Sequence, residues 1–255
     1  GKAHLPLGKM ILLGIMAGAF IALGGATSST AAHAIDNVGL ARFVAGIIFP
    51  VGLMIIVFVG GELFTGNCLI VMDVVGKKVT WFECICKLIV VYFSNLIGAL
   101  IIDTLIYFSG NLDYTGGLLG AYAIKVAVGK VGISPLKGIT SGILCNILVC
   151  IAILMAAAAT DIVGKIWAIF FPIMAFVVGG FEHCVANMYY IPAGIFAAGN
   201  PAYVQKAQEL YGLGAEKLTG LNWGSFVTVN LLPVTIGNII GGAVMVGGVC
   251  FYLHG

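Results

Sequence analysis

Six long apolar runs, separated by shorter polar segments, dominate the hydrophobic pattern of the chain. A membrane-spanning helix needs about 20 predominantly apolar residues, and each run reaches that length. The runs cover residues 10–32, 43–72, 87–108, 137–160, 166–198 and 226–253. The pattern therefore predicts an all-α integral membrane protein with six transmembrane helices.

Acidic residues interrupt the second and the fifth of these runs. Glu62 follows the apolar stretch 43–61, and Glu182 follows the stretch 166–181. Backbone that leaves the helical conformation inside a membrane must be buried in protein or line a cavity. We therefore predict that helices 2 and 5 are broken and that the breaks mark a transport pathway.

The two halves of the chain share three short sequence matches in the same order. The matched segments are 14–18 with 138–142, 60–62 with 179–182, and 95–98 with 238–241. Each half holds three predicted spans, and an odd number of spans inverts the second half relative to the first. We therefore predict two inverted three-helix repeats, at about 8–110 and 136–253, within a single transmembrane channel domain of residues 1–255.

Composition excludes several classes of protein. The chain is 61% hydrophobic and 9% charged, with a mean hydropathy of +1.13. A soluble domain carries about 25% charged residues, so this chain is predicted to lie in lipid. A net charge of +2 and the lack of a basic stripe give no indication of a nucleic-acid partner. The seven cysteines lie scattered in apolar segments without zinc-ligand spacing, so neither a metal nor a cofactor is predicted.

The distribution of lysine and arginine bears on orientation. These residues divide evenly between the two sides of the predicted spans. If Lys125 and Lys130 lie within the membrane region, the side that carries the termini has the excess. Positive residues accumulate on the cytoplasmic side. We therefore predict a bacterial-type cytoplasmic membrane protein with both termini in the cytoplasm.

A few polar side chains in the spans are candidates for function. His183 lies in the second broken span, and an ionisable residue at that depth is a functional candidate by default. Histidine also titrates nearest to physiological pH. Glu62 and Glu182 could accept hydrogen bonds from freed backbone N–H groups, coordinate a cation or relay a proton. Thr65 and Asn146 could bind a substrate or tie helices together.

Three segments of the chain, 58–67, 142–152 and 180–188, are similar to signature segments of the formate/nitrite transporter family. The resemblance covers essentially the whole chain and is strongest to the hydrosulfide channel branch. It implies an aquaporin-like protomer, assembled as a homopentamer in the lipid bilayer with one pore per protomer. It also implies passage of small monovalent anions of weak acids, namely formate, nitrite or hydrosulfide.

The resemblance also implies roles for individual side chains. His183 corresponds to a central pore histidine. The other implied positions are Thr65 and Asn146 as its polar neighbours, Glu182 as the adjacent acid, Asn238 as a pore asparagine, Lys130 as a vestibule lysine, and Leu53 and Phe176, with Phe49 nearby, as the cytoplasmic constriction. Lys125 lies close to Lys130 and is the alternative vestibule lysine.

These roles suggest a hypothesis for permeation. A bare anion is costly to place between apolar side chains, whereas the protonated form of a weak acid is neutral. We expect Lys130 and the N-termini of the half-helices to attract the anion. His183 would then lend positive charge to the anion or donate a proton to it.

Three other classes of protein are alternatives to the anion-channel hypothesis. Water and glycerol channels carry paired Asn-Pro-Ala motifs, but here residues 200–202 stand alone in a loop. A membrane redox enzyme needs paired haem ligands, and His183 is the one histidine at mid-membrane depth. A cation- or proton-coupled transporter would use Glu62 and Glu182.

Overall fold

The computed structural model describes residues 5–254, and every regular element in that range is helical. Six helical stretches are long and apolar enough to cross a membrane. They are Leu7–Ala32, Val38–Val59, Trp81–Phe108, Pro135–Ala158, Ile162–Gly179 and Trp223–Leu253. The six predicted spans are confirmed. Residues 1–4 and 255 of the predicted domain lie outside the described part.

The first half contains the first predicted break. Its helices are α1 (Leu7–Ala32), α2 (Val38–Ile48), α3 (Val51–Val59), α4 (Phe64–Asn67), a 3-10 turn at Cys68–Ile70, α5 (Val71–Val75) and α6 (Trp81–Phe108). Helix α3 ends at Gly60, whose φ of 91° is left-handed. A residue without Cβ adopts that conformation without strain, so the chain leaves the helix at this glycine.

The second half repeats this plan with added helices at its start and after its break. The elements are a 3-10 turn at Asn111–Asp113, α7 (Tyr114–Val131), α8 (Pro135–Ala158), α9 (Ile162–Gly179), α10 (Cys184–Ala197), α11 (Pro201–Tyr211) and α12 (Ala215–Thr219). Gly180, with a φ of 69°, ends α9 as Gly60 ends α3. Helix α11 begins at Pro201, because Asn200 caps it and proline is well suited to the first turn of a helix.

The last span is irregular. It consists of α13 (Trp223–Ser225), a π-helical segment at Phe226–Leu231, α14 (Leu232–Ile239), a second π-helical segment at Ile240–Gly248, and α15 (Val249–His254). Such π segments occur frequently at functional sites, because the wider turn changes which side chains face a neighbour. Here the first one contains Asn230, a residue that contacts the second break.

Equivalent hydrogen bonds in the two halves fix the register of the inverted repeat. Asn95 Nδ2 donates to the carbonyl of Gly14 at 2.7 Å, and Asn238 Nδ2 donates to that of Gly142 at 2.8 Å. Gly14 is therefore the counterpart of Gly142. The sequence match, which pairs Gly14 with Gly138, is wrong by four residues, or one helical turn. Residues four apart lie on the same helix face, so glycine spacing alone does not separate the two registers.

The order of the spans defines two faces of the helical bundle. We call the face at which α1 begins the terminal face and the opposite one, at which α1 ends and α2 begins, the distal face. Helix α7 follows the end of α6 and lies at the distal face, where His33 Nε2 is 2.9 Å from the hydroxyl of Thr115. Helix α7 packs against α10 and α11.

Candidate functional site

The two breaks meet inside the bundle. Thr65 lies in α4, directly after the first break, and His183 lies at the end of the second. Thr65 Oγ1 is 3.0 Å from His183 Nε2, and the two side chains are 0% and 2% exposed. The structure therefore brings together the histidine and the threonine that the sequence analysis selected from separate halves.

The hydrogen bonds of His183 define its neutral tautomer. Its Nδ1 accepts the backbone N–H of Ala186 at 2.9 Å, so His183 is the N-cap of α10. In neutral imidazole only one nitrogen carries a proton, and here that nitrogen is Nε2. Nε2 then donates to the hydroxyl of Thr65. An imidazolium would direct an Nδ1 proton at the N–H of Ala186 and lose the cap.

Asn238 ties the second break to the last span. Its Nδ2 donates to the carbonyls of Gly142 at 2.8 Å and Glu182 at 3.0 Å, and its Oδ1 accepts the N–H of Cys184 at 2.9 Å. A break leaves backbone groups without helical partners, and this amide supplies them. The side chain thus positions the His183 segment, and its amide is committed to backbone.

Asn146 is a second tie around the same point. Its Nδ2 donates to the carbonyls of Thr65 at 3.2 Å and Asn238 at 2.6 Å. Its Oδ1 accepts the thiol of Cys150 at 3.7 Å. The sequence leaves two roles open for Asn146, substrate binding and a hydrogen-bonded link between helices. This geometry favours the link.

The carboxylate of Glu182 is the centre of a buried polar cluster. Lys130 Nζ lies 3.0 and 3.1 Å from its two oxygens, and Asn187 Nδ2 donates to it at 2.6 Å. Asn230 Nδ2 donates to the same carboxylate at 3.3 Å and to the carbonyl of Lys130 at 2.9 Å. A buried carboxylate needs a counter-ion and hydrogen-bond donors, and this one has both.

The first break contains a corresponding cluster. Glu62 pairs with Lys87 Nζ at 3.1 Å and accepts from Asn67 Nδ2 at 2.8 Å. Each acid at a break therefore has a lysine counter-ion, which does not support cation coordination by Glu62 and Glu182. The sequence analysis missed Asn187. Its signal was available, because an asparagine follows the acid by five residues in both halves.

Aromatic rings cover His183 on the distal side. The rings of Phe49 and Phe176 meet edge to face with centroids 5.4 Å apart, and Phe176 stacks on His183 at 5.8 Å. Phe49 also stacks on Tyr190 at 6.5 Å. Phe49 and Phe176 therefore form an apolar floor next to His183. Leu53, one turn beyond Phe49, is 2% exposed and lies in the same apolar core.

A cavity of about 670 Å³ lies above this floor, and His183 lines it together with Phe49 and Phe176. Both candidate lysines line it, but they differ in their contacts. Lys130 pairs with Glu182, whereas Lys125 Nζ lies 4.4 Å from the ring centre of Tyr211. We call this cavity the distal vestibule, since the end of α1, the start of α2, and α7 form its wall.

The position of the vestibule shows on which face of the protein the constriction lies. Phe49 and Phe176 line the distal vestibule, opposite the face at which α1 begins. Cytoplasmic termini and a cytoplasmic constriction at Leu53 and Phe176 are therefore incompatible expectations. With cytoplasmic termini, this constriction faces the other side of the membrane.

Comparison with known sequences decides the family. The sequence model described as formate/nitrite transporter matches residues 1–252 of the chain. The chain belongs to the formate/nitrite transporter family. Within that family, a probable formate transporter from Methanothermobacter thermautotrophicus is 36% identical, over 99% of this chain and 91% of its own. The formate channel FocA from Haemophilus influenzae is 38% identical, over 92% of this chain and 82% of its own. These relatives are transporters and channels, not enzymes.

Solved structures confirm the fold of this formate/nitrite transporter family member. A pentameric formate channel with formate bound is 32% identical, with a TM-score of 0.88 over 97% of both chains. An aquaglyceroporin from Plasmodium falciparum is 14% identical, with a TM-score of 0.51 over 97% of this chain and 100% of its own. That second likeness shows the fold alone, and it confirms the predicted aquaporin-like protomer.

Proposed function

We propose that this member of the formate/nitrite transporter family is a channel for formate and for other small monovalent anions of weak acids, among them nitrite and hydrosulfide. The observation that carries the proposal is the pairing of His183 with Thr65 beneath an apolar floor and a cationic vestibule. The relatives named as formate channels support formate as the first anion to test. The resemblance to the hydrosulfide branch stays a prediction.

The proposed permeation path begins at the distal vestibule. Its cations raise the local concentration of anions. Passing Phe49 and Phe176 strips water from the anion, which is costly unless polar groups replace that water or the anion binds a proton. His183 Nε2–H and the hydroxyl of Thr65 are the donors that the anion meets next to the floor.

The proposed role of His183 is that of a hydrogen-bond donor. A neutral imidazole that released its Nε2 proton would become an imidazolate, because Nδ1 carries no proton while it caps α10. Net proton donation therefore requires the cap to open first. The proton on a neutral weak acid then comes from water rather than from this side chain.

Anion flux into proteoliposomes tests both parts of the proposal. Formate, nitrite, hydrosulfide and acetate are compared across a pH series, and their ranking identifies the preferred anion. His183→Asn retains a good N-cap but removes the Nε2–H donor. Losing one hydrogen bond to a charged group is worth at least about 1.5 kcal/mol, so we expect roughly tenfold slower formate flux.

The pH profile separates the two roles of His183. A hydrogen-bond donor predicts slower flux with an unchanged pH profile in His183→Asn, whereas an obligate proton donor predicts a flattened one. Full flux in His183→Asn would refute either role. Absence of any anion flux from folded wild-type protein would refute the channel itself and leave a coupled transporter as the next hypothesis.

We also propose a homopentamer in a bacterial-type cytoplasmic membrane, with both termini in the cytoplasm. The match to a pentameric formate channel supports the assembly. Native mass spectrometry of the detergent-extracted protein measures the number of protomers. Labelling of a cysteine introduced at exposed Lys137, at the start of α8 on the distal face, tests the orientation from outside intact cells.

A further inference from the structure

The distal vestibule is much larger than the anions proposed to permeate. Its volume is about 670 Å³, and formate is a one-carbon anion. At its inner end the rings of Phe49 and Phe176 are in contact, with 5.4 Å between their centres, and His183 also lines the cavity there. A larger anion could therefore enter the vestibule and be stopped at the floor.

The charged groups of the vestibule favour a ligand with a single negative charge. Its cationic side chains are Arg42, Lys125 and Lys130, and its carboxylates are Asp36 and the adjoining Glu182. Glu182 neutralises Lys130 through direct contact. Counted over the lysines, arginine and carboxylates of the described residues, one positive charge remains in excess, which matches a monoanion better than a dianion.

Arg42 has N–H donors available to bind such a ligand. Its guanidinium is exposed in the vestibule, and within residues 5–254 it donates one long hydrogen bond, to the carbonyl of Val178 at 3.4 Å. A guanidinium carries five N–H donors in a planar fork that matches a carboxylate. Arg42 is therefore the group best placed to bind a carboxylate in two-point fashion.

The remaining wall suits a flat ring. Tyr122 and Tyr211 flank Lys125, with Nζ 5.9 and 4.4 Å from their ring centres, and Phe181 lines the same space. Burial, Tyr122 and Asp36 together raise the pKa of Tyr211, so its phenol stays neutral at physiological pH. Neutral aromatic faces bind aromatic ligands by offset or edge-to-face packing.

We propose that the distal vestibule binds aromatic monocarboxylates, with the carboxylate on Arg42 and the ring among Tyr122, Tyr211 and Phe181, and that the bound acid plugs the channel. The site is selective by size, because a one-carbon anion passes the floor and an aromatic ring does not. The blocking effect rests on the proposed function, whereas binding itself does not.

Benzoate is the probe, and its binding is measured before any flux. Calorimetry or ligand-detected NMR on the purified assembly at pH 7.5 gives a dissociation constant. Arg42→Gln removes the charged fork, and we expect at least about tenfold weaker binding, the loss of a charge-assisted hydrogen bond. Lys137→Gln removes a positive charge from the same face outside the cavity and is the matched control, with unchanged binding expected.

Flux inhibition then tests the block. Benzenesulfonate, which stays ionised and so keeps to one side of the bilayer, is applied to each side separately. We expect inhibition of formate flux from the distal side alone. Cyclohexanecarboxylate, equal in charge but not aromatic, is expected to bind more weakly than benzoate.

The outcomes separate this inference from the proposed function. Benzoate binding that depends on Arg42 supports the site even if formate flux is absent, a result that would overturn the channel instead. Formate flux without benzoate binding overturns the site. Binding that survives Arg42→Gln unchanged, or equal inhibition from both faces, also overturns it.

Discussion

Replacing Asn238 with alanine should destabilise the protein in proportion to the backbone groups that it leaves unpaired. The asparagine serves the carbonyls of Gly142 and Glu182 and the N–H of Cys184, and it is 0% exposed. An orphaned buried polar group costs about 1–3 kcal/mol. Interhelical hydrogen bonds within membranes average about 0.6 kcal/mol. Three lost bonds therefore give a loss of about 2 kcal/mol at the least, and we expect about 3 kcal/mol.

The inverted repeat supplies a matched control for this variant. Asn95 donates to the carbonyls of Gly14 and Glu62 and accepts the N–H of Phe64 at 2.9 Å. Asn95→Ala should therefore cost about as much stability as Asn238→Ala. Both variants should affect permeation, because Asn95 holds the segment before Thr65. Asn238→Ala should do so more, because the segment that it releases contains the pore histidine.

The assay has two readouts. Unfolding in mixed detergent–SDS micelles, followed by circular dichroism, gives the loss of stability, and flux assays give the ratio of formate to acetate permeability. We expect both variants to lose stability and Asn238→Ala to lose more of its formate preference. Stabilities within about 0.5 kcal/mol of wild type would refute the reasoning, as would an equal loss of preference in Asn95→Ala.

Other predictions concern packing and charge. Gly18→Ala should prevent folding, because its Cβ would collide with the backbone carbonyl oxygen of Asn95, whereas Gly8→Ala has open space and should fold; a monodisperse, folded Gly18→Ala protein would contradict this. Lys130→Met should destabilise more than Lys130→Met combined with Glu182→Leu, because the single variant strands a buried carboxylate; simple additivity in SDS unfolding would count against that account. Thr65→Val should slow formate flux several-fold and lower the thermal midpoint, because it leaves the buried Nε2–H of His183 unpaired, while Thr65→Ser retains both; equal flux in both variants would show that the hydroxyl is not needed.

Much of the fold could be predicted from the sequence, because a bilayer imposes a minimum length on every apolar span. The breaks were also predictable, since Gly60 and Gly180 precede an acid that no apolar helix would otherwise carry. The register of the repeat could not be predicted from the sequence. Glycines spaced by four leave a one-turn ambiguity that only contacts such as Asn95 with Gly14 resolve.

The candidate site was partly predictable for a different reason. His183 and Thr65 lie in breaks, so their proximity follows from the repeat. Asn230 carries no such signal, because its place in the repeat is occupied in the first half by Lys87, which pairs with the first acid. At this place in the repeat, the residue that contacts the acid is Lys87 in the first half and Asn230 in the second, whereas the acid is a glutamate in both. A comparison that looks for identical residues therefore does not find Asn230.

The capping role of His183 restricts how this position can change during evolution. The imidazole that faces the pore also holds the first turn of α10, through the N–H of Ala186. Leu63, its counterpart, makes no such bond, and the helix after it is only four residues long. Natural variation at position 183 should therefore be confined to side chains that can start a helix, with asparagine as the accessible exchange. An aliphatic replacement would keep the pore apolar but would remove the N-cap of α10. We expect selection to eliminate it for the loss of stability, whatever its effect on permeation.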